Sequence, residues 1–487
     1  MAKTDTRGRQ LARNTTALTI GRLGSKILVF LLVRFYTAVL TKEEFGTADL
    51  ITSLCNFLIP VACVGLSSGF FRFAAEAKSE REQSSVFSAG VSILLLSSMA
   101  FALFSPILFL IPLFKEHVWL ILLYVLCANA HYLVSDFIRA QGHYRLFALQ
   151  GILNTALNIS FNLLFLLPLS MGLDGYILSI IAADLLTSVF LVVYAKLWRY
   201  VHPDAVERGT VKAILAYSIP LIPAALCWWI TNVSDRYMVT HFYGEAQNGL
   251  YAAAYKIPNI LTIACGIFMD AWQFSAVVAG RKAHDDESPE EADERRRSLR
   301  AFFSKIFRGY GAFLFLAAGG LILLSRPIAT VLFDPSFYEA WAYIPVLLLA
   351  TALSALSNFA GSVYMVERRG TATMVTSMIG AGLNIGLNFW LIPPMGPMGA
   401  AIATLISYLV VFVVRAVHAR RFIRFRLPFT WLGLNALLLG AACSVVTLAV
   451  RGWVWYAIGC CFALAIIDAP FLIRSVIHLL DGRRKKS

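Results

Sequence analysis

Residues 14–40 read NTTALTIGRLGSKILVFLLVRFYTAVL, and residues 213–240 read AILAYSIPLIPAALCWWITNVSDRYMVT. As helices both are long enough to cross a bilayer, because roughly 20 apolar residues at about 1.5 Å of rise span about 30 Å. The first stretch carries Arg22 and Lys26 one helical turn apart, and Lys3, Arg7, Arg9 and Arg13 precede it. Lys26 falls roughly 18 Å from Asn14, near mid-membrane. One such charge at a helix centre costs about 2.5–3.5 kcal/mol on insertion scales. Two cations on one face are therefore not expected to face lipid. The plainest reading is a helix that lines a water-filled cavity with positive charge, whose natural cargo is an anion. Arg22, about two turns into the span, can alternatively snorkel to the headgroups; Lys26 is too deep for easy escape.

The rest of the chain agrees with a membrane setting. Of its 487 residues 59% are hydrophobic and only 14% charged, with mean hydropathy +0.70. A soluble protein of this length would need far more charge to cover its surface. Period-two strands do not dominate, which argues against a β-barrel. The first stretch is too long and too charged for a signal peptide, and no small-residue cleavage site follows it. The net charge of +14 would suggest nucleic acid in a soluble protein, but here it marks loops on one side of the membrane, and no nucleic-acid partner is expected. Cys55, Cys63, Cys127, Cys265, Cys460 and Cys461 lie in apolar runs without metal-ligand spacing, so no metal site is expected.

The pattern predicts fourteen spans: 14–40, 46–71, 85–111, 118–139, 145–168, 173–197, 213–240, 248–279, 301–332, 341–366, 371–392, 397–419, 429–449 and 453–479. Alternate loops are rich in Lys and Arg. Arg72, Lys78 and Arg81 mark one, Arg295, Arg296, Arg297 and Arg300 another, and Arg415, Arg420, Arg421, Arg424 and Arg426 a third. The loops between them are short and nearly free of cations. By the positive-inside rule both termini are cytoplasmic. The polar insertion 281–300 reads as a cytoplasmic loop whose basic end meets anionic lipid headgroups.

Two segments repeat at a separation of about 226–228 residues. Arg139-Ala-Gln-Gly142, Asn158, Asn162, Pro168, Gly172 and Gly175 correspond to Glu367-Arg-Arg-Gly370, Asn384, Asn388, Pro393, Gly396 and Gly399. A weaker match pairs Arg34 and Gly46 with Arg236 and Gly249. The expected fold is all-α, with two pseudo-symmetric six-helix lobes around a central cavity plus two C-terminal helices. The lobes are expected at 1–200 and 201–426, with the last two helices and a basic tail at 427–487. An even number of spans per lobe gives both lobes the same orientation in the membrane, the geometry of alternating access. The asparagines are expected to tie helices together by hydrogen bonds.

Several further polar residues lie inside spans. Lys256, about three turns in and two residues before Pro258, is a third deep cation. Trp228 and Trp229 sit at mid-depth, where interface anchoring does not explain them; they either stack on sugar rings or fill the lobe. Asp184 is mid-membrane: it binds a coupling cation, pairs with a basic residue, or is a protonated structural acid. Asp136 beside Arg139 is expected to form a local ion pair. Pro60 and Gly65 suggest a bend in the second span, and Pro220 and Pro223 a kink in the seventh.

Leu40-Thr-Lys-Glu-Glu-Phe45-Gly46, Arg139-Ala-Gln-Gly142 and the run Asn384-x3-Asn388…Pro393…Gly396-x2-Gly399-Ala-Ala-x-Ala-Thr404 carry a resemblance. Over spans 1–12 the chain resembles the polysaccharide transporter and lipid-linked oligosaccharide flippase families of the multidrug/oligosaccharidyl-lipid/polysaccharide exporter superfamily. The resemblance implies a flippase of the bacterial inner membrane rather than an enzyme. Its cargo would be an undecaprenyl-diphosphate-linked oligosaccharide or a related cell-wall or surface-polysaccharide precursor. Arg22, Lys26 and Lys256 would hold the diphosphate, Trp228 and Trp229 the sugars, and Asp184 a coupling Na⁺ or H⁺. No cofactor is implied, and there is no Gly-rich P-loop for ATP. Membrane lipids and glycan-assembly proteins are the expected partners, and a monomer suffices. A lipid II flippase and a cation-coupled multidrug exporter are the competing readings; the basic centre argues against a cationic drug.

Overall fold

A computed structural model describes residues 32–202, 204, 206–279, 289–367 and 369–484. The described residues contain helices and no strand. Among the described residues twelve helices are long and apolar enough to cross a membrane. They correspond in order to twelve of the fourteen expected spans. The other two are the decisive stretches themselves. Of the first, only 32–40 is described, with helix α1 over 32–39. The seventh is helical in two pieces, α8 (Arg208–Ser218) and α9 (Ile222–Tyr243), joined by a 3₁₀ turn over Ile219–Leu221. Pro220 and Pro223 lack the N–H that a continuous helix needs at those positions.

Helix α2 (Lys42–Ala62) starts with a capping box: Thr41 Oγ1 accepts from Glu44 N at 3.1 Å, and Glu44 Oε2 accepts from Thr41 N at 2.9 Å. The Thr-Lys-Glu-Glu motif is thus a helix start. Helix α2 ends at the expected bend. Val64 and Gly65 take φ of 55° and 68°, and the chain resumes as α3 (Leu66–Glu76). A Cβ on Gly65 would lie 2.9 Å from the Ser218 carbonyl oxygen, so the break in α2–α3 lies against the end of α8. Helix α4 (Glu80–Phe104) completes this corner. Phe70, Phe87 and Phe137 meet there at ring separations of 4.4–6.4 Å, and α8 packs on α3 and α4.

The repeat is visible as helix geometry. In the first half, α5 (Val118–Ala140), α6 (Tyr144–Leu166) and α7 (Gly172–Tyr194) pack so that α7 contacts both α5 and α6. In the second half, α13 (Ile344–Val366), α14 (Gly370–Met395) and α15 (Pro397–Ala419) pack in the same pattern, α15 on α13 and α14. Each begins 225 or 226 residues after its counterpart. The turns before α7 and α15 use glycines in the left-handed region, Gly172 at φ 51° and Gly396 at φ 62°. Between the two repeats run α10 (Glu245–Ala279), α11 (Pro289–Leu323) and the short α12 (Ser325–Leu332), and the chain closes with α16 (Phe429–Thr447) and α17 (Trp453–Arg484). Both closing helices pack on α11. Helix α13 is the most buried span. Ala350, Ala352, Ala355, Ser357, Ala360 and Ser362 keep its surface small, which permits close approach where lipid supplies no hydrophobic drive.

The chain divides into two compact units, Met1–Val233 and Ser234–Ser487. The division falls inside α9, because α8 belongs with α3 and α4 of the first unit.

Candidate functional site

In the first unit, three helices each turn two polar residues toward one junction. His131 and Ser135 are one turn apart on α5, Gln150 and Asn154 on α6, and Asp184 and Thr187 on α7, all at helical i,i+3 or i,i+4 spacing. His131 Nδ1 lies 2.9 Å from Asp184 Oδ1, and His131 Nε2 lies 2.9 Å from Gln150 Oε1. Gln150 Nε2 donates to Ser135 Oγ at 3.2 Å, which orients its oxygen toward the imidazole. Asn154 Nδ2 donates to Asp184 Oδ1 at 2.8 Å and reaches Thr187 Oγ1 at 3.4 Å. The His131 and Asp184 side chains are 14% and 17% exposed, so the pair is largely removed from its surroundings. Both imidazole nitrogens face acceptor oxygens, and the Asn154 amide nitrogen lies 3.4 Å from Nδ1. The arrangement is fully bonded and neutral as a pair either as imidazolium against carboxylate or as imidazole accepting from a carboxyl hydrogen, with Nε2–H donating to Gln150 in both. Such a junction can exchange a proton or admit a cation at the carboxylate.

The second unit holds a different charge at the corresponding helices. Arg415 on α15 is 7% exposed. Its Nε donates to Thr376 Oγ1 at 3.0 Å and its Nη2 to Ser377 Oγ at 2.8 Å. Its Nη1 lies 3.4 Å from both Ser357 Oγ and Asn358 Oδ1 and 3.5 Å from the Ser357 carbonyl. The expectation that Arg415 is a loop charge is corrected: it lies inside α15, four residues before the helix end, and points into the unit.

Asp235, also in the second unit, is 3% exposed and accepts from Tyr251 Oη at 2.9 Å and Tyr255 Oη at 3.1 Å. Near its helix, Ser234 Oγ lies 3.4 Å from Asn384 Oδ1, Asn384 Nδ2 donates to Thr404 Oγ1 at 3.2 Å, and Asn388 Nδ2 donates to Asn384 Oδ1 at 3.0 Å. In the first unit Asn162 Nδ2 donates to Asn158 Oδ1 at 3.1 Å, the same i,i+4 bond 226 residues earlier. The asparagines thus join within their helices first, and Asn384 adds the interhelical bond to α15. Outside the repeat, Trp431 Nε1 donates to Asp468 Oδ1 at 2.7 Å, and Arg308 stacks 4.0 Å over the Trp431 ring.

Of the residues expected to bind cargo, Arg22 and Lys26 lie outside the described residues. Lys256 is half-buried on α10 in the second unit. Trp228 lies on α9. Trp229 is half-buried in the first unit, where its Nε1 donates to the Ser53 carbonyl at 2.6 Å and its ring lies 4.6 Å from Phe57. Asp184 is brought against His131, Asn154 and, through the imidazole, Gln150. These three partners were missed from sequence, although the spacing of His131 with Ser135 and of Gln150 with Asn154 along one helix face was a readable signal. Asp136 pairs with Arg139 at 2.9 Å as expected, and Ser67 Oγ donates to it at 2.6 Å. Among the described residues no group of three or more His, Cys, Asp or Glu is placed to hold a metal ion.

A family model described as "Polysaccharide biosynthesis protein" matches residues 11–272. Among solved structures, the lipid II flippase MurJ in an inward closed conformation superposes with TM-score 0.67 at 15% identity, covering 94% of this chain and 99% of that one. An inward-facing multidrug resistance MATE family transporter of the MOP superfamily superposes with TM-score 0.66 at 16% identity, covering 83% and 98%. A MOP superfamily transporter from Pyrococcus furiosus, with a binding pocket of reverse polarity, gives TM-score 0.56 at 15% identity over 85% and 95%. At such identities the likeness establishes the fold, which this multi-pass membrane protein shares. No curated protein sequence matches the chain.

Proposed function

Because the chain belongs to the polysaccharide biosynthesis protein family, we propose that it is a flippase of the bacterial inner membrane with both termini cytoplasmic. Its cargo is an undecaprenyl-diphosphate-linked oligosaccharide or a related surface-polysaccharide or cell-wall precursor, moved from the inner to the outer leaflet by alternating access. The family match carries this reading. The intramembrane cations are in keeping with it: Arg22, Lys26 and Lys256 pair with the diphosphate, since a doubly anionic group is the ligand that offsets the cost of cations at such depth. Trp228 and the half-buried Trp229 offer aromatic faces to the sugars, while the polyprenyl tail stays in lipid. No bond is made or broken in the cargo, and the transporter works as a monomer.

Asp184 is assigned to coupling. A proton leaving the His131–Asp184 pair, or a Na⁺ reaching Asp184, changes the charge of the α5–α6–α7 junction by one and disturbs the 2.9 Å bond that joins α5 to α7. A gradient of H⁺ or Na⁺ then biases the packing of these helices.

Headgroup translocation in proteoliposomes tests the reading, comparing a polyprenyl-diphosphate oligosaccharide, lipid II and a cationic dye. Movement of the oligosaccharide lipid, lost in Lys26→Ala and Arg22→Ala at matched protein levels, is the expected result. A preference for lipid II would support the second reading, which the near-complete coverage of MurJ favours. Dye movement without lipid movement would overturn both.

A further inference from the structure

The α5–α6–α7 and α13–α14–α15 junctions are built from corresponding positions. Ser357 is the counterpart of His131, Thr376 of Gln150 and Gly361 of Ser135, each 226 residues on. Where the first unit places an imidazole reaching out from α5, the second has the small Ser357, and the space is taken by a guanidinium reaching from α15. Arg415 begins nearer the helix end than Asp184 does on α7. Helical side chains lean toward the N-terminus, so its long arm returns to the level of the Ser357–Thr376 pair. Gly361 leaves room for this arm: a Cβ there would lie 3.2 Å from Arg415 Nη1.

The surroundings of that charge are all neutral. Its partners are the hydroxyls of Ser357, Thr376 and Ser377, the amide oxygen of Asn358 and the carbonyl of Ser357. Among the described residues no carboxylate lies within ion-pair distance of it. The nearby titratable groups are Tyr364, Tyr408 and His418, and the Tyr364 hydroxyl is engaged with His418 Nδ1 at 3.0 Å. A buried cation without a counter-charge is costly, and a neutral amide could supply hydrogen bonds to the same hydroxyls at less cost. Hydroxyl, amide and carbonyl oxygens gathered around one buried positive group are also the kind of ligand that replaces the hydration shell of a bare monovalent cation.

We propose that Arg415 is a tethered cation. Its guanidinium occupies a site of oxygens that would otherwise take Na⁺ or K⁺, so the second unit carries this positive charge permanently and draws no ion from solution at this junction. This inference stands on the geometry of the second unit alone and is independent of the cargo.

The test is the thermal stability of purified full-length protein in NaCl, KCl and choline chloride at equal ionic strength, for wild type, Arg415→Ala, Arg415→Lys and Arg415→Gln. Each variant is read against wild type in the same salt, so that an ion effect elsewhere, at Asp184 for example, cancels. Arg415→Ala is expected to melt below wild type in choline and to regain at least half of the deficit in NaCl or KCl. Arg415→Lys, which keeps the charge, is expected to show no cation dependence of its own. Equal deficits of Arg415→Ala in all three salts would overturn the proposal, as would failure to recover that variant folded in any of them. So would full restoration by Arg415→Gln in every salt, because hydrogen bonding without charge would then suffice.

Discussion

The α5–α6–α7 junction of the first unit holds an imidazole against a carboxylate, and the α13–α14–α15 junction of the second holds a guanidinium among neutral oxygens. The backbones are two copies of one arrangement, but the polar positions at the junction differ throughout. His131 becomes Ser357, Gln150 becomes Thr376, and the charge moves from Asp184 to Arg415. The first charge is exchangeable, because imidazole and carboxylate can gain or lose a proton. The second is fixed, because guanidinium does not deprotonate in proteins. The two halves thus share one scaffold, and the side chains at its junction give the first a proton-exchanging pair and the second a permanent charge.

The sharpest way to break this comparison is to delete the exchangeable charge. Asp184→Ala leaves His131 Nδ1 and Asn154 Nδ2 without their acceptor, and removing one member of a buried pair costs about 3–5 kcal/mol. A large fall in melting temperature with loss of translocation is expected, while Asp184→Asn should keep much of the stability but lose the ion dependence of transport. An unchanged melting temperature in Asp184→Ala would mean that the junction does not hold the three helices.

A smaller effect separates the two glycines that follow the repeated turn. A Cβ at Gly399 would collide with the Leu391 carbonyl, which is backbone and has little freedom to move. At Gly175 the nearest atoms are the Met171 and Phe165 Cβ atoms, at 2.8 and 3.1 Å, with the Phe165 carbonyl at 3.3 Å. Gly399→Ala is expected to destabilise by about 1–3 kcal/mol, and Gly175→Ala by less. Denaturation of the two variants side by side checks the order; the reverse order would mean that the tighter turn is in the first unit.

The smallest effects are expected at the asparagines. Asn388→Leu removes one side-chain hydrogen bond and Asn162→Leu a pair to the same residue, Asn158, and such bonds in membrane proteins average about 0.6 kcal/mol. Asn384→Leu, which also loses the bond to Thr404, should cost more than Asn158→Leu. Equal costs would show that the interhelical bond adds nothing.

Much of this architecture is legible in the sequence. Twelve spans follow from apolar runs long enough to be helices, and the repeat follows from Asn-x3-Asn with the glycines behind it. Asp184 stood out because a carboxylate in mid-span needs a reason. Its partner did not stand out. His131 is 53 residues away on another helix, and a histidine among apolar residues carries no formal charge to attract notice. Arg415 is hidden in the sequence for a related reason. Four residues from a helix end looks like a loop in sequence, and only the small Ser357 and Gly361 on a different helix admit its guanidinium to the interior. Hydropathy reports the depth of a Cα; where a long side chain ends depends on neighbours that the local sequence does not contain.

The interruption at Cys63–Gly65 has a mechanical consequence. Gly65 N donates to the Pro60 carbonyl at 2.7 Å, so the helix ends there with its own bond, and α3 starts afresh. Ile219–Leu221 interrupts α8–α9 beside it, and Gly69 of α3 lies directly against the Ser218 side chain. Each break weakens the i→i−4 ladder, at Val64–Gly65 through a left-handed turn and at Ile219–Leu221 through a 3₁₀ turn with prolines that supply no N–H. The two weakened turns lie side by side, so α3 and α8, which pack together, are joined to α2 and α9 through the least regular backbone of this corner.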